Sequence, residues 1–198
     1  MLPFLLIKSI AIIFAITLHE FVRALTSTLL GDSKPKNDGR LTLNPINHFE
    51  PVGFILCYYS GFGWGKPVIT NGMFYKNRKR DSLLVAIMPT VANFIVASIF
   101  AVILKLFWNV NENLTTVLIF LIHYNVLIFV YNIIPISPMD GAKVMNLLLP
   151  AQKTFEYMSN EKTLQLIFML LLFWGYTGIV INPIVNFIYS ILGISLFM

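Results

Sequence analysis

LPFLLIKSIAIIFAITLHEFVRALTSTLL, residues 2–30, is long and apolar enough to cross a bilayer core, which takes about 20 mostly apolar residues, yet it carries Lys8, His19, Glu20 and Arg23. Ionisable groups inside a span are costly and by default mark a functional site. The whole chain of 198 residues has the same character: 57% of it is apolar, 12% is charged, and mean hydropathy is +0.77. A soluble domain needs about 25% charged residues to cover its surface. Composition therefore excludes a soluble cytosolic fold, and a disordered chain with it. The length suits one domain, taken as residues 1–198. Cys57 is the single cysteine, so no internal disulfide framework exists. The chain reads as an integral membrane protein.

Three further tracts have spanning length: about 82–108, 114–134 and 163–198. The last is interrupted by Gly175, Gly178 and Pro183, which suits one span plus a short returning or interfacial helix. The first tract lacks the compact charged start and small-residue cleavage site of a signal peptide and is expected to be retained. No internal repeat or low-complexity segment is present. Of the fourteen Lys and Arg, eleven fall in two regions, 31–81 and 143–162, whereas the link 109–113 has none. The net charge of +5 thus reports orientation: the positive-inside rule makes those regions cytoplasmic and places the N-terminus outside. The ends of the first and third spans then emerge on the same cytoplasmic face. Lys8 and Lys105 lie near span ends, where they can snorkel.

Residues 40–70 differ. Arg40 to Pro45 alternates briefly, then Pro, Gly and aromatics recur every few residues. Short strands or a re-entrant hairpin at the membrane surface are expected, and non-helical backbone at that depth must face protein or a water-filled cavity. Two polar clusters remain. On a helix His19 and Arg23 share a face, with Glu20 about 100° round; on local spacing alone Glu20 pairs with Arg23 at i,i+3. In Ser137-Pro138-Met139-Asp140, Ser137 as N-cap, Pro138 at the first helical position and Asp140 three on form a capping box starting a helix at 141–149. Alone, Asp140 reads as a cap; topology, however, puts it on the same face as His19 and Glu20.

Leu18-His19-Glu20-Phe21, Gly39-Arg40-Leu41-Thr42-Leu43-Asn44-Pro45 with His48-Phe49-Glu50-Pro51-Val52-Gly53, Gly63-Trp64-Gly65-Lys66-Pro67-Val68, and Asn132 to Gly141 stand in order along the chain. Together they make it similar to site-2 proteases, the intramembrane zinc metalloproteases, in their compact bacterial form. The first block resembles the start of an HExxH helix and the last an N-x-x-P…LDG motif, with Met139 for Leu; Glu50 replaces the usual Asp. The resemblance implies an all-α multi-pass membrane protein with a small membrane-associated β segment around a site-2 protease-like core. It implies zinc as cofactor, His19 and Asp140 as metal ligands, Glu20 as general base, and zinc-bound water as nucleophile. It also implies Asn132 as a substrate-strand contact and Asn93 as a second site asparagine, although Met88 stands where the family has glycine. His48 matches a family histidine that is not usually a ligand.

Arg23 occupies the position of the second zinc histidine. A guanidinium has five donors and no acceptor, so it cannot ligate zinc, and its charge repels the ion. Without metal, Glu20 and Asp140 would leave two carboxylates in a low-dielectric cavity. Arg23 is therefore expected to pair with Asp140 in a metal-free site. His48 and His123 are the remaining histidines, and a packing or hydrogen-bonding role is expected for both. The expected function is a catalytically impaired site-2 protease. One alternative is an active intramembrane zinc metalloprotease with an atypical metal site, and another is a non-catalytic binder of transmembrane segments. A small transporter is weaker, since nothing beyond the polar cluster suggests a through-path. Expected partners are transmembrane segments and, for Lys76-Asn77-Arg78-Lys79-Arg80, anionic lipid headgroups rather than nucleic acid. Asn113-Leu114-Thr115 lies too close to a span to act as a glycosylation acceptor. Trp64, Trp108 and Trp174 read as interfacial or packing aromatics, and 152–162 as a polar surface segment.

Overall fold

The computed structural model describes residues 2–108 and 111–195. Asn109 and Val110 of the expected link, and residues 196–198 of the last tract, lie outside them. Eight helices occur among the described residues: α1 (Leu2–Leu29), α2 (Lys34–Asn37), α3 (Pro51–Ser60), α4 (Arg78–Phe107), α5 (Glu112–Ile133), α6 (Asp140–Leu148), α7 (Ala151–Phe173) and α8 (Thr177–Leu192). Helices α1, α4 and α5 are long and apolar enough to cross a membrane; α7 and α8 pass that test only as a pair, bent by 81°. The bend falls at Gly175, whose φ of +75° is a left-handed conformation that disfavours a side chain. This is a multi-pass membrane fold.

Helices α1, α4 and α5 pack together as the core. Ala11 and Ala15 on α1 and Ala97 and Ala101 on α4 are almost fully buried, against Ile12, Leu104, Ile122 and Val126. Lipid gives no hydrophobic drive between helices, so close approach of small residues supplies the packing. Large apolar side chains such as Ile99, Leu166, Phe173 and Phe187 point outward, as a lipid-facing surface requires. Side-chain caps set the helix starts. Asn77 accepts from Arg80 N–H at the head of α4, and Asn111 accepts from the Asn113 and Leu114 N–H groups at the head of α5. After α1 the buried Asp32 accepts from Ser27 Oγ, Lys34 N and Asn71 N, tying the end of α1 to the loop before α4.

Three expectations are corrected. No strand occurs among the described residues, so the β segment at 40–70 is replaced by a 3-10 turn at Pro45–Asn47, the ten-residue helix α3 and extended but unpaired backbone. Local side chains capture N–H groups that a ladder would have needed: Asn44 Oδ1 takes Ile46 N and Glu50 takes Gly53 N. Helix α3 is too short to cross a bilayer. The polar stretch 152–162 is mostly exposed, as expected, but it is the first half of α7 rather than a link before that helix. Ser137 and Pro138 do not begin α6; Met139 is its N-cap, and its thioether makes no side-chain cap bond, while the Asp140 carboxylate is turned to Arg23.

Candidate functional site

Helix α1 presents His19, Glu20 and Arg23 within two turns, all buried. Opposite them, α6 begins directly on the C-terminal end of α5. A Cβ on Gly141 would run into the Ile133 and Ile134 carbonyl oxygens, so only glycine lets the two backbones meet there. Asn132 Oδ1 accepts from Asp140 N–H at 3.3 Å, while its amide donates to Ile128 O at 2.9 Å. This seating delivers Asp140, 2% exposed, onto α1.

The contacts centre on Arg23. Nη1 donates to Asp140 Oδ1 at 2.7 Å and Nη2 to Oδ2 at 2.8 Å, a bidentate fork of the strong, charge-assisted kind. Nη2 also donates to His19 Nε2 at 2.9 Å. Nε makes no hydrogen bond but lies 3.4 Å from Glu20 Oε2. Lys143, half-exposed, adds a contact to Asp140 Oδ1 at 3.0 Å. Burial by itself pushes the Asp140 carboxyl up; the Arg23 guanidinium, with Lys143 behind it, outweighs this and holds the group well below the usual carboxylate range.

The other side of His19 is fixed by a line of amides. Asn125 Nδ2 donates to Leu121 O at 2.7 Å, and Asn93 Nδ2 donates to Asn125 Oδ1 at 2.8 Å and to Ala15 O at 3.1 Å. Asn93 Oδ1 then accepts from His19 Nδ1 at 2.9 Å. Because the line begins at a backbone carbonyl, which can only accept, each amide's orientation follows, and so does the His19 tautomer. The proton sits on Nδ1 and the Nε2 lone pair faces Arg23. His19 Nε2 and Asp140 Oδ2, two acceptors 3.0 Å apart, are held together by the Nη2–H they share.

Glu20 turns away from this pair, its Oε2 accepting from Val68 N–H at 2.9 Å. That bond docks the extended segment Gly63 to Val68 beside the site. A Cβ on Gly65 would run into Ile16 Cγ2 at 2.5 Å and the His48 carbonyl oxygen at 2.9 Å. His48 is fully buried, bonded through Nε2 to Thr42 O at 2.8 Å, and its own carbonyl accepts from Lys66 N at 2.8 Å. Burial pushes its imidazole below the ordinary value, and Arg40 pushes the same way. Arg40 is itself buried and donates to Lys66 O. His123 faces a different part of the molecule, 2.5 Å from Tyr189 OH. A cavity of about 330 Å³ opens over the site, lined among others by His19, Glu20, Arg23, Trp64, Asn132 and Lys143.

Over 194 residues the chain is 30% identical to the "Putative zinc metalloprotease YwhC" of Bacillus subtilis, an alignment covering 94% of this chain and 87% of that protein. It belongs to the site-2 protease-like family of zinc metalloproteases. A second relative, the "Putative zinc metalloprotease Rip2" of Mycolicibacterium smegmatis, is 24% identical over 135 residues, 65% of this chain and 52% of that protein. No family model and no solved structure matches.

The zinc that the family names suggest is not matched by the donors present. Structural and catalytic zinc sites use three or four protein ligands from His, Cys, Asp or Glu. Among the described residues no group of three such side chains is placed to hold a metal. The position between His19 Nε2 and Asp140 Oδ2 is taken by a guanidinium nitrogen, and Glu20 is engaged with Val68. The structure brings together His19, Glu20, Arg23, Asp140, Asn93 and Asn132, and leaves His48 under the neighbouring segment. Sequence reasoning missed Asn125, whose signal was a lone amide in the middle of an apolar span. It also missed Arg40 as a buried residue, because its charge was absorbed into the orientation count.

Proposed function

We propose that this site-2 protease-like membrane protein is catalytically impaired and binds transmembrane segments of other proteins without cutting them. The observation that carries this reading is the Arg23 guanidinium, forked onto both oxygens of Asp140 and touching His19 Nε2. A fixed cation already satisfies the groups that would face a metal, and breaking a buried pair of this kind is strongly unfavourable. In this reading His19 and Asp140 keep the ligand positions of the family and Glu20 the position of its base, but their electron pairs serve Arg23 and Val68. Asn93 positions His19. Asn132 positions Asp140 and borders the cavity, where a client segment would lie along Gly63 to Val68. The basic residues at 34–80 and 143–162 support a cytoplasmic placement of this end of the molecule with the N-terminus outside. The run Lys76 to Arg80 would then meet anionic headgroups.

The test pairs metal analysis with cleavage. Full-length wild type, Arg23→His and Glu20→Gln are purified in detergent, assayed for bound zinc, and offered a transmembrane substrate. Wild type is expected to hold sub-stoichiometric zinc and to leave the substrate intact, with zinc occupancy rising in Arg23→His. Stoichiometric zinc on wild type, or wild-type cleavage that Glu20→Gln abolishes, overturns the proposal.

A further inference from the structure

A second cavity, of about 790 Å³, lies among α1, α3, α5 and the α7–α8 bend. Lys8 lines it, eleven residues before His19 and so about 16 Å away along α1. Its Nζ stands 4.2 Å from the centroid of the Tyr58 ring. No carboxylate pairs with it among the described residues, and no acidic residue lines the cavity. Tyr58, Tyr124 and Asn182 line the same space, and their hydroxyls and side-chain amide make no hydrogen bond among the described residues. Lys8 is not a residue snorkelling freely outward. It is the one ammonium among the described lining residues, met only by the face of the Tyr58 ring, and a charge at membrane depth calls for an anionic partner.

What this set lacks is an acceptor carrying negative charge. The rim shows where it comes from: Tyr59 and Phe173 stand there, 84% and 85% exposed on the apolar outer surface. A ligand entering past them arrives from the bilayer, and one cation calls for one anionic group. We infer that this cavity binds an anionic phospholipid, with Lys8 as the counter-ion of its phosphate, Tyr58, Tyr124 and Asn182 donating to the head group, and the acyl chains passing out between Tyr59 and Phe173. The proposal is independent of whether Arg23 has displaced a metal.

The test uses the full chain exchanged into phosphatidylcholine and offered phosphatidylglycerol, with retained lipid counted by native mass spectrometry. Wild type retains phosphatidylglycerol selectively, Lys8→Met retains it about tenfold less, the scale of one charged hydrogen bond, and Lys8→Arg restores it. Added inorganic phosphate leaves the lipid in place. Equal retention by wild type and Lys8→Met, equal retention of phosphatidylcholine, displacement by inorganic phosphate, or preference for a transmembrane peptide bearing a carboxylate each overturns the proposal. Should Lys8→Met fail to fold, the double variant Tyr58→Phe, Asn182→Leu is read in its place, with a loss of about tenfold expected and an unchanged count overturning the inference.

Discussion

Replacing Arg23 with leucine keeps the bulk of the side chain and removes the charge that Asp140 and Glu20 share. Asp140 is 2% exposed and both its oxygens are bound to the guanidinium. Stranding one partner of such a buried pair costs about 3–5 kcal/mol. Lys143 remains at 3.0 Å but is half exposed, so it offsets only a small part, as a surface pair does. A loss of about 3 kcal/mol in a chain of this length lowers Tm by roughly 6–12 °C, measurable by scanning fluorimetry in one fixed detergent. The pH dependence carries a sign. In the wild type the folded carboxyl lies below its ordinary value of about 3.9, so its contribution is fully present above that value and lost only as pH falls through the lower folded one. In Arg23→Leu burial pushes the carboxyl the other way, so protonation relieves the variant, and its deficit against wild type narrows on acidification from about pH 7 toward pH 4. A Tm within about 2 °C of wild type near neutrality, the shift of an ordinary surface substitution, would mean that the fork does not hold the site together.

Two further outcomes follow from packing. Gly141→Ala places a methyl against the Ile133 and Ile134 carbonyls; rigid backbone cannot give, so α6 must shift and draw Asp140 off Arg23, at about 1–3 kcal/mol. A Tm equal to wild type would show that α6 is not seated on the end of α5. Cys57 is buried, and burial pushes its thiol up to about 12, so its reactive thiolate is scarce. Maleimide should label it slowly in the folded protein and completely in denaturant; rapid labelling of the folded form would contradict the packing of α3.

The spans were readable because the bilayer imposes one rule on them, twenty or so apolar residues with backbone bonds satisfied internally. Helices α1, α4 and α5 obey it to within a few residues of the expected limits. Residues 40–70 follow no such rule. The alternation at Arg40 to Pro45 had no partner strand, and Asn44 and Glu50 used their side chains on local N–H groups instead. At Asp140 two readings competed for one carboxylate. It cannot cap α6 and fork onto Arg23 together, and the charged partner, at the far end of 117 residues of sequence, wins over a neutral N–H. That partnership was legible through the expected topology, which put the ends of the first and third spans on one face, and through the resemblance, which put Arg23 at a ligand position beside Asp140. Asn125 was hidden because its partner, Asn93, lies on another helix and no local spacing connects them.

The amide line from Leu121 through Asn125 and Asn93 to His19 also governs proton traffic. Carboxamides hold their protons far more firmly than carboxylates or imidazoles, and every acceptor in the line is already filled from one direction. A proton arriving on His19 Nε2 has no exit through the helices behind it. Among the described residues the open approach to the site is the cavity side, past Arg23, Asp140 and the half-exposed Lys143. The three-helix core thus backs the site with a line of amides rather than with titratable groups, and the site opens to the cavity.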